Sequence, residues 1–203
     1  MENWKEWLKG RVEKSTMKVT QIPLSEVGGG WGFEKDGRFF LPPEDMKFDA
    51  IARKDGKFFK VIGVKVEVPV GREVKAWTQV MIQEIDLGQV IVVISPDQEV
   101  KILLAAKIEP GNGTPGHIML NAPLSASSSN IQKAHGGGAT PRSELADAER
   151  ETALIAQDGG RFFEKFDKYG SVVSDVEPKE NERFFSLEEI LEAYEAGLIG
   201  EHL

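Results

Sequence analysis

Residues 89–109, QVIVVISPDQEVKILLAAKIE, carry the clearest hydrophobic pattern in the chain. Two apolar runs rich in β-branched residues flank Ser95-Pro96-Asp97-Gln98, a pattern that predicts a hairpin. Both runs are apolar at successive positions, so the strands are expected to be central and covered on both faces. The second strand leads into Glu109-Pro110-Gly111-Asn112. Two Asp-Gly hairpins, KDGRFF (35–40) and KDGKFF (54–59), begin their returning strands with paired phenylalanines, and GGRFF (159–163) and ERFF (182–185) echo them. Each is expected to send one Phe into the core, and the unequal gaps rule out a solenoid repeat. MKVTQIPL (17–24) alternates like a strand, and GGGWGF after it is turn material.

Helical spacing occurs in three places. Met1–Leu8 reads as a short amphipathic helix ended by Gly10, with Trp4, Trp7 and Leu8 on one side to dock on the body or on a partner chain. Residues 1–14 are accordingly set apart from a main domain over 15–203. Leu145, Ala148, Thr152 and Ile155 predict a helix that Thr140 or Ser143 caps and Gly159 stops. In SLEEILEAYEAG (186–197), Ser186 and Glu189 form a capping box and Gly197 ends the helix. Strands with a few helices on their faces make an α+β fold.

Composition narrows the function. The 203 residues suffice for one domain with a sizeable core, and 40% hydrophobic with 29% charged residues is globular. A net charge of −8 disfavours nucleic-acid and anionic-membrane surfaces, which need a basic stripe, but allows a small anionic ligand held locally. With no cysteine, disulfides, thiolate catalysis and cysteine-based zinc sites are excluded. No apolar segment has signal-peptide or membrane-spanning character, so the cytoplasm is expected.

Residues 107–138 gather Glu109, Asn112, His117, Asn130, His135 and two glycine clusters. LLAAKIEPGN (103–112), APLSASSSN (122–130) and AHGGG (134–138) together resemble the NDP-hexose 2,3-dehydratases, whose half-domain carries QAKxEPGN, APTxQxTxSNY and HGG. Flanking segments are similar too: IPLSEV and GWGF, DGKFFKVIGVKV, WTQ (77–79) against WxQP, QDGGRFF against EQGxRF, and FSLEEILEAY. The resemblance runs from about residue 18 to 196. It implies a Nudix-like mixed sheet with flanking helices in a single domain, one half of an enzyme that carries two such halves in one chain. It also implies removal of water across carbons 2 and 3 of a nucleotide-linked 4-keto-6-deoxy sugar, with no cofactor. A lone half has an unpartnered surface, so a homodimer is expected, with the apolar N-terminal helix adding to it.

A Nudix box would hold Mg²⁺ on a helix. Gly138 and Glu144 keep its first spacing, but Arg150-Glu151 arrives two residues early and Ala153-Leu154-Ile155-Ala156 replaces the acidic pair. No metal is therefore expected.

Elimination beside a ketone asks for a base at carbon 3, donors for the enolate oxygen and an acid for the departing hydroxyl. Glu109, at a buried strand end, suits the base, and His135 the acid or enolate donor. Asn112 and Asn130 can bind sugar hydroxyls, Trp77 and Gln79 the sugar, and the Gly136 and Gly137 amides, Arg142 and Arg161 an anion. Other readings stand beside these: Glu109 ion-paired to Lys107, His117 satisfied structurally, Trp77 in the core. The chain departs from the family pattern at Val80, Ile118, Met119, Leu124, Ile131 and Gln157. Hence a second reading: an isomerase or other acid–base enzyme on a less polar substrate, or a non-catalytic Nudix-like binding module.

Overall fold

The hydrophobic hairpin is the spine of the structure. The computed structural model describes residues 3–23, 26–28, 30–35, 38–40, 49–68, 70–84, 86–134, 136–147 and 151–200. Strands β1 (Trp31–Lys35), β2 (Arg38–Phe40), β3 (Ala50–Arg53), β4 (Phe59–Glu67) and β5 (Ala76–Glu84) make an antiparallel sheet in the order β2-β1-β3-β4-β5. Strands β6 (Gly88–Ile94), β7 (Lys101–Ile108), β8 (Ile118–Asn121), β9 (Leu124–Ser127), β10 (Thr152–Ala156), β11 (Phe166–Val173) and β12 (Glu182–Ser186) make a second sheet of seven. Its path is β10-β11-β6-β7-β12, and only β11 and β6 run parallel. The fold is thus α+β, as expected.

β6 and β7 pair at Val93–Leu103 and Ile94–Ile102 and then part. Beyond that point β9 takes the free edge of β6, and β8 takes that of β7. Both faces of β7 are covered. Leu104 and Ala106 pack with Ile118, Leu120 and Phe185 under α1 (Trp4–Lys14) and α3 (Leu187–Glu195). Leu103 packs on the other side with Ile91, Val93, Leu124 and Leu145.

The N-terminal helix does dock on the body: Trp4 and Trp7 are buried against the Phe185 ring, and the Trp4 indole donates to Glu192 of α3 at 3.1 Å. Its apolar side is therefore spent internally and is not a partner surface. The helix also runs past Gly10 to Lys14. An interior glycine costs only about 1 kcal/mol, and beyond it Val12 packs into the core while Arg11 pairs with Glu180 at 2.8 Å. The capping box of Ser186 and Glu189 and the stop at Gly197 (φ 69°) form as predicted.

Four expectations are corrected. Residues 17–23 form no strand, with Met17, Val19 and Ile22 exposed, and Trp31-Gly32-Phe33 begins β1 rather than completing a turn. The helix expected after Thr140 is a 3-10 turn (Ser143–Asp147) followed by edge strand β10; residues 148–150 between them lie outside the described residues. Of the helical-spacing residues that are described, only Leu145 is buried, and the uncharged Thr152–Ala156 run takes backbone bonds from β11 instead. No described helix therefore carries the degenerate Nudix box. Of the paired phenylalanines, Phe185 is in the core, whereas Phe59 is 38% exposed.

Arg142 supplies a different anchor. It is buried, and its guanidinium meets the fully buried Glu182 carboxylate of β12 at 2.5 and 3.1 Å and donates to the Glu177 carbonyl at 2.6 Å. Hydrogen bonding to Glu182 raises the Arg142 pKa above its already high ordinary value. Breaking such a pair leaves a buried charge uncompensated. Arg142→Ala is therefore expected to lower the stability by about 3–5 kcal/mol, read from the urea midpoint at constant slope.

Candidate active site

On one face of the large sheet, a cleft of about 180 Å³ opens beside the fork. It is lined by Gly88, Gln89 and Val90 of β6, Ser125–Ser127 of β9, Asp167 of β11, and by Glu84, Glu109, Asn130 and Lys165. The sequence delivers these residues from strand ends. Period two along β7 carries the face of Leu103 outward through Ala105 and Lys107 to Glu109. Glu109 is held by its backbone N–H to the His117 carbonyl at 3.0 Å. Behind it, the Asn112 amide donates to the His117 carbonyl at 2.9 Å, and the His117 Nδ1 lies 2.9 Å from the Asn112 carbonyl. That clasp closes the 109–117 loop, and Ser15, at the end of α1, donates to the Gly116 carbonyl at 2.8 Å to brace it.

The opposite wall is an ionic cluster. Lys165, only 5% exposed at its side chain, meets Asp167 at 2.8 Å and Glu84 at 3.0 Å, and donates to the Asp86 carbonyl at 2.7 Å. Burial raises the Glu84 pKa, with Lys165 pulling the other way. Asp86 also accepts from the hydroxyl and backbone N–H of Ser129 at the start of α2 (Ser128–Ile131), which bears Asn130. Asp167 accepts the Gly88 N–H at 2.8 Å. Gly88 has no room for a side chain, because a Cβ there would lie 2.9 Å from the Asp167 carboxyl carbon.

The structure brings Glu109 and Asn130 to one cleft, while His135 lies outside the described residues. Glu109 is exposed rather than buried at its strand end, and among the described residues no ion pair within 4 Å joins it to Lys107 or another cation. Asn112 turns its amide to backbone carbonyls and does not line the cleft. His117 is satisfied structurally, at φ 56° in the turn before β8. Arg142 is locked to Glu182, and Arg161 lies in the solvent beside Asp158 at 2.8 Å, so neither reaches the cleft. Gly136 and Gly137 are exposed and outside the lining. Trp77 donates to Gln79 at 2.7 Å, Gln79 donates to the Gly160 carbonyl, and Arg72 sits 5.5 Å over the Trp77 ring. Trp77 is seven positions from Glu84 on β5, about 23 Å at strand spacing. It belongs to a separate surface.

Sequence reasoning passed over Glu84, Lys165 and Asp167, and treated Lys107 only as a partner for Glu109. Lys107 is half-buried, and its Nζ reaches the Ser125 carbonyl of β9 at 3.4 Å. Burial pushes its pKa down to about 8, against the pull of the Glu109 and Glu182 charges. Its alternation with Glu109 along β7 was the available sign.

Comparison with known proteins adds a consistent result. The family model described as NDP-hexose 2,3-dehydratase matches residues 1–194. A dTDP-4-dehydro-6-deoxy-alpha-D-glucopyranose 2,3-dehydratase of Saccharopolyspora spinosa is 29% identical over 136 residues, covering 66% of this chain and 25% of that protein. Proteins of the same name are 26% identical in Amycolatopsis orientalis (81% of this chain, 34% of that protein) and in Streptomyces violaceoruber (96% and 41%). The chain thus spans between a quarter and two fifths of the length of these curated relatives.

The cluster yields a stability test. Gly88→Ala forces Asp167 aside and is expected to cost about 1–3 kcal/mol by denaturant unfolding, as overpacking does. Gly63→Ala on β4, whose Cβ meets nothing within 4 Å, is expected to cost none.

Proposed function

Because the chain belongs to the NDP-hexose 2,3-dehydratase family, we propose that it removes water from a nucleotide-linked 4-keto-6-deoxy sugar at this cleft, with Glu109 as the base. The supporting observation is a carboxylate that opens on a polar cleft and has no ion pair within 4 Å among the described residues. A carbonyl at carbon 4 acidifies the proton on carbon 3. A carboxylate takes that proton, the charge moves to the carbonyl oxygen, and its return expels the hydroxyl on carbon 2 with a proton. The ketone itself supplies the activation, so the reading requires no cofactor. His135 stays in it as the donor to the enolate oxygen, on the sequence alone.

Charge sets the pose. Glu84, Glu109 and Asp167 line the cleft with Lys165, a cation already shared between two of them. A diphosphate is repelled there, so the sugar enters and the nucleotide stays at the mouth. Glu109→Gln is expected to lower kcat about 10²–10⁴-fold with fold and ligand affinity kept. Full activity in that variant would sink the assignment.

The reading includes a homodimer through β10. This edge strand bears no charge, is exposed along its length, and pairs only with β11 among the described residues. Leu154 is 63% and Ile155 45% exposed. An uncovered, uncharged edge is a template for another strand, and a two-fold axis lets two copies pair antiparallel. Light scattering at micromolar concentration is expected to give twice the chain mass, and Leu154→Lys half of that; a single-chain mass for the unaltered protein overturns the dimer.

A further inference from the structure

Resting on the dehydratase reading, we propose that Lys107 is the acid that protonates the departing hydroxyl on carbon 2, working with Glu109 from one face of β7. The sugar in the relatives' name is an alpha-D-glucopyranose. In that ring the carbon-2 hydroxyl and the carbon-3 hydrogen lie on the same side. Their removal thus calls for a base and an acid approaching from one side, rather than from the two faces of the ring. Residues two apart on a strand meet this demand, because their side chains leave on the same face with Cα atoms roughly 6–7 Å apart. Glu109 lines the cleft, and Lys107 reaches the carbonyl of Ser125, which lines it too.

The charges around Lys107 leave its proton available. Glu109 lies on its own strand segment, and Glu182 on β12 is already held by Arg142. Met119 opposite on β8 and Ser125 on β9 bring no charge. Across the cleft, Lys165 is neutralised by Glu84 and Asp167. Burial brings the ammonium down to about 8, close to the pH at which it works.

The step balances. Glu109 takes the carbon-3 proton, and the electron pair of that bond makes the enolate at carbon 4. The carbonyl re-forms as the carbon 2–carbon 3 double bond appears and the carbon 2–oxygen bond breaks. Lys107 gives its proton to that oxygen, and water leaves. The protonated Glu109 then returns a proton to the neutral Lys107 amine, so the pair resets with no other reagent.

The test uses the full chain with dTDP-4-dehydro-6-deoxyglucose in deuterium oxide, following water loss and deuterium uptake at carbon 3 by NMR. Lys107→Arg keeps the positive charge but cannot release a proton. It is expected to lose about 10²–10⁴-fold in dehydration while deuterium uptake continues; Lys107→Gln gives the same reading should the arginine not be accommodated. Glu109→Gln is expected to lose both. The kcat of the unaltered protein is expected to fall on the alkaline side with a midpoint near 8, and Lys107→Arg to lack that limb. Dehydration at the unaltered rate in Lys107→Arg overturns the acid role and leaves the dehydratase reading standing. So does a proportionate loss of uptake and dehydration in that variant. An unaltered protein that neither exchanges nor dehydrates ends both.

Discussion

Backbone polar groups inside a protein must find partners, and that constraint governs this fold at the point where β6 and β7 separate. The two strands share only the pairs Val93–Leu103 and Ile94–Ile102. Their inner edges would otherwise be left open within the core. Residues 118–127 fill the gap, as β8 on one edge and β9 on the other. The buried Ala122-Pro123 corner sits between them, where a proline with no N–H to donate is tolerated because the ladder stops there. The same separation carries the end of β7 away from β6 and leaves Glu109, bonded through its backbone N–H to the His117 carbonyl, over a cleft.

One face of β7 runs from dry to wet in four alternate residues. Leu103 is wholly buried, Ala105 nearly so, Lys107 half-buried and Glu109 exposed. Lys107 therefore pays a desolvation cost, and this burial is what draws its pKa down. The elements behind the strand hold this gradient in place. α1 and α3 cover the opposite face through Trp4, Trp7 and Ala193, while Ser15 and the Asn112–His117 clasp fix the loop beyond Glu109.

The parts of this design that were legible in the sequence are those set by local pattern. The β6–β7 hairpin, the Asp-Gly strand pairs and the Ser186 capping box depend on residues close together, and they form as expected. What was not legible depends on distant partners. Residues 152–156 have helical spacing, yet β11 offers them a strand edge and no core awaits a helix's apolar side, so Leu154 and Ile155 stay exposed. Arg142 looks like an anion ligand until β12 brings Glu182 to it. Asn112 looks like a site residue until the loop folds it onto His117, whose structural role the sequence did suggest. Glu84 and Asp167 come from segments 83 residues apart and meet only through Lys165, and no spacing rule could have joined them.

The Lys165 cluster gives the cleft its character by being satisfied. A free lysine there would attract phosphate and other anions into the cleft. Held between two carboxylates and a carbonyl, Lys165 offers no spare charge, and it ties the end of the small sheet to the large one. The wall is therefore rigid and, with Glu109, carries an excess of negative charge in a chain already at −8. Such a field would favour the neutral end of the proposed anionic substrate and disfavour its charged end, orienting the molecule before any specific hydrogen bond is made. The same field would oppose the build-up of enolate charge in the proposed reaction. Lys107, which makes no ion pair within 4 Å among the described residues and reaches the Ser125 carbonyl on the face that leads to Glu109, is the positive charge that would offset this field in the proposed reaction.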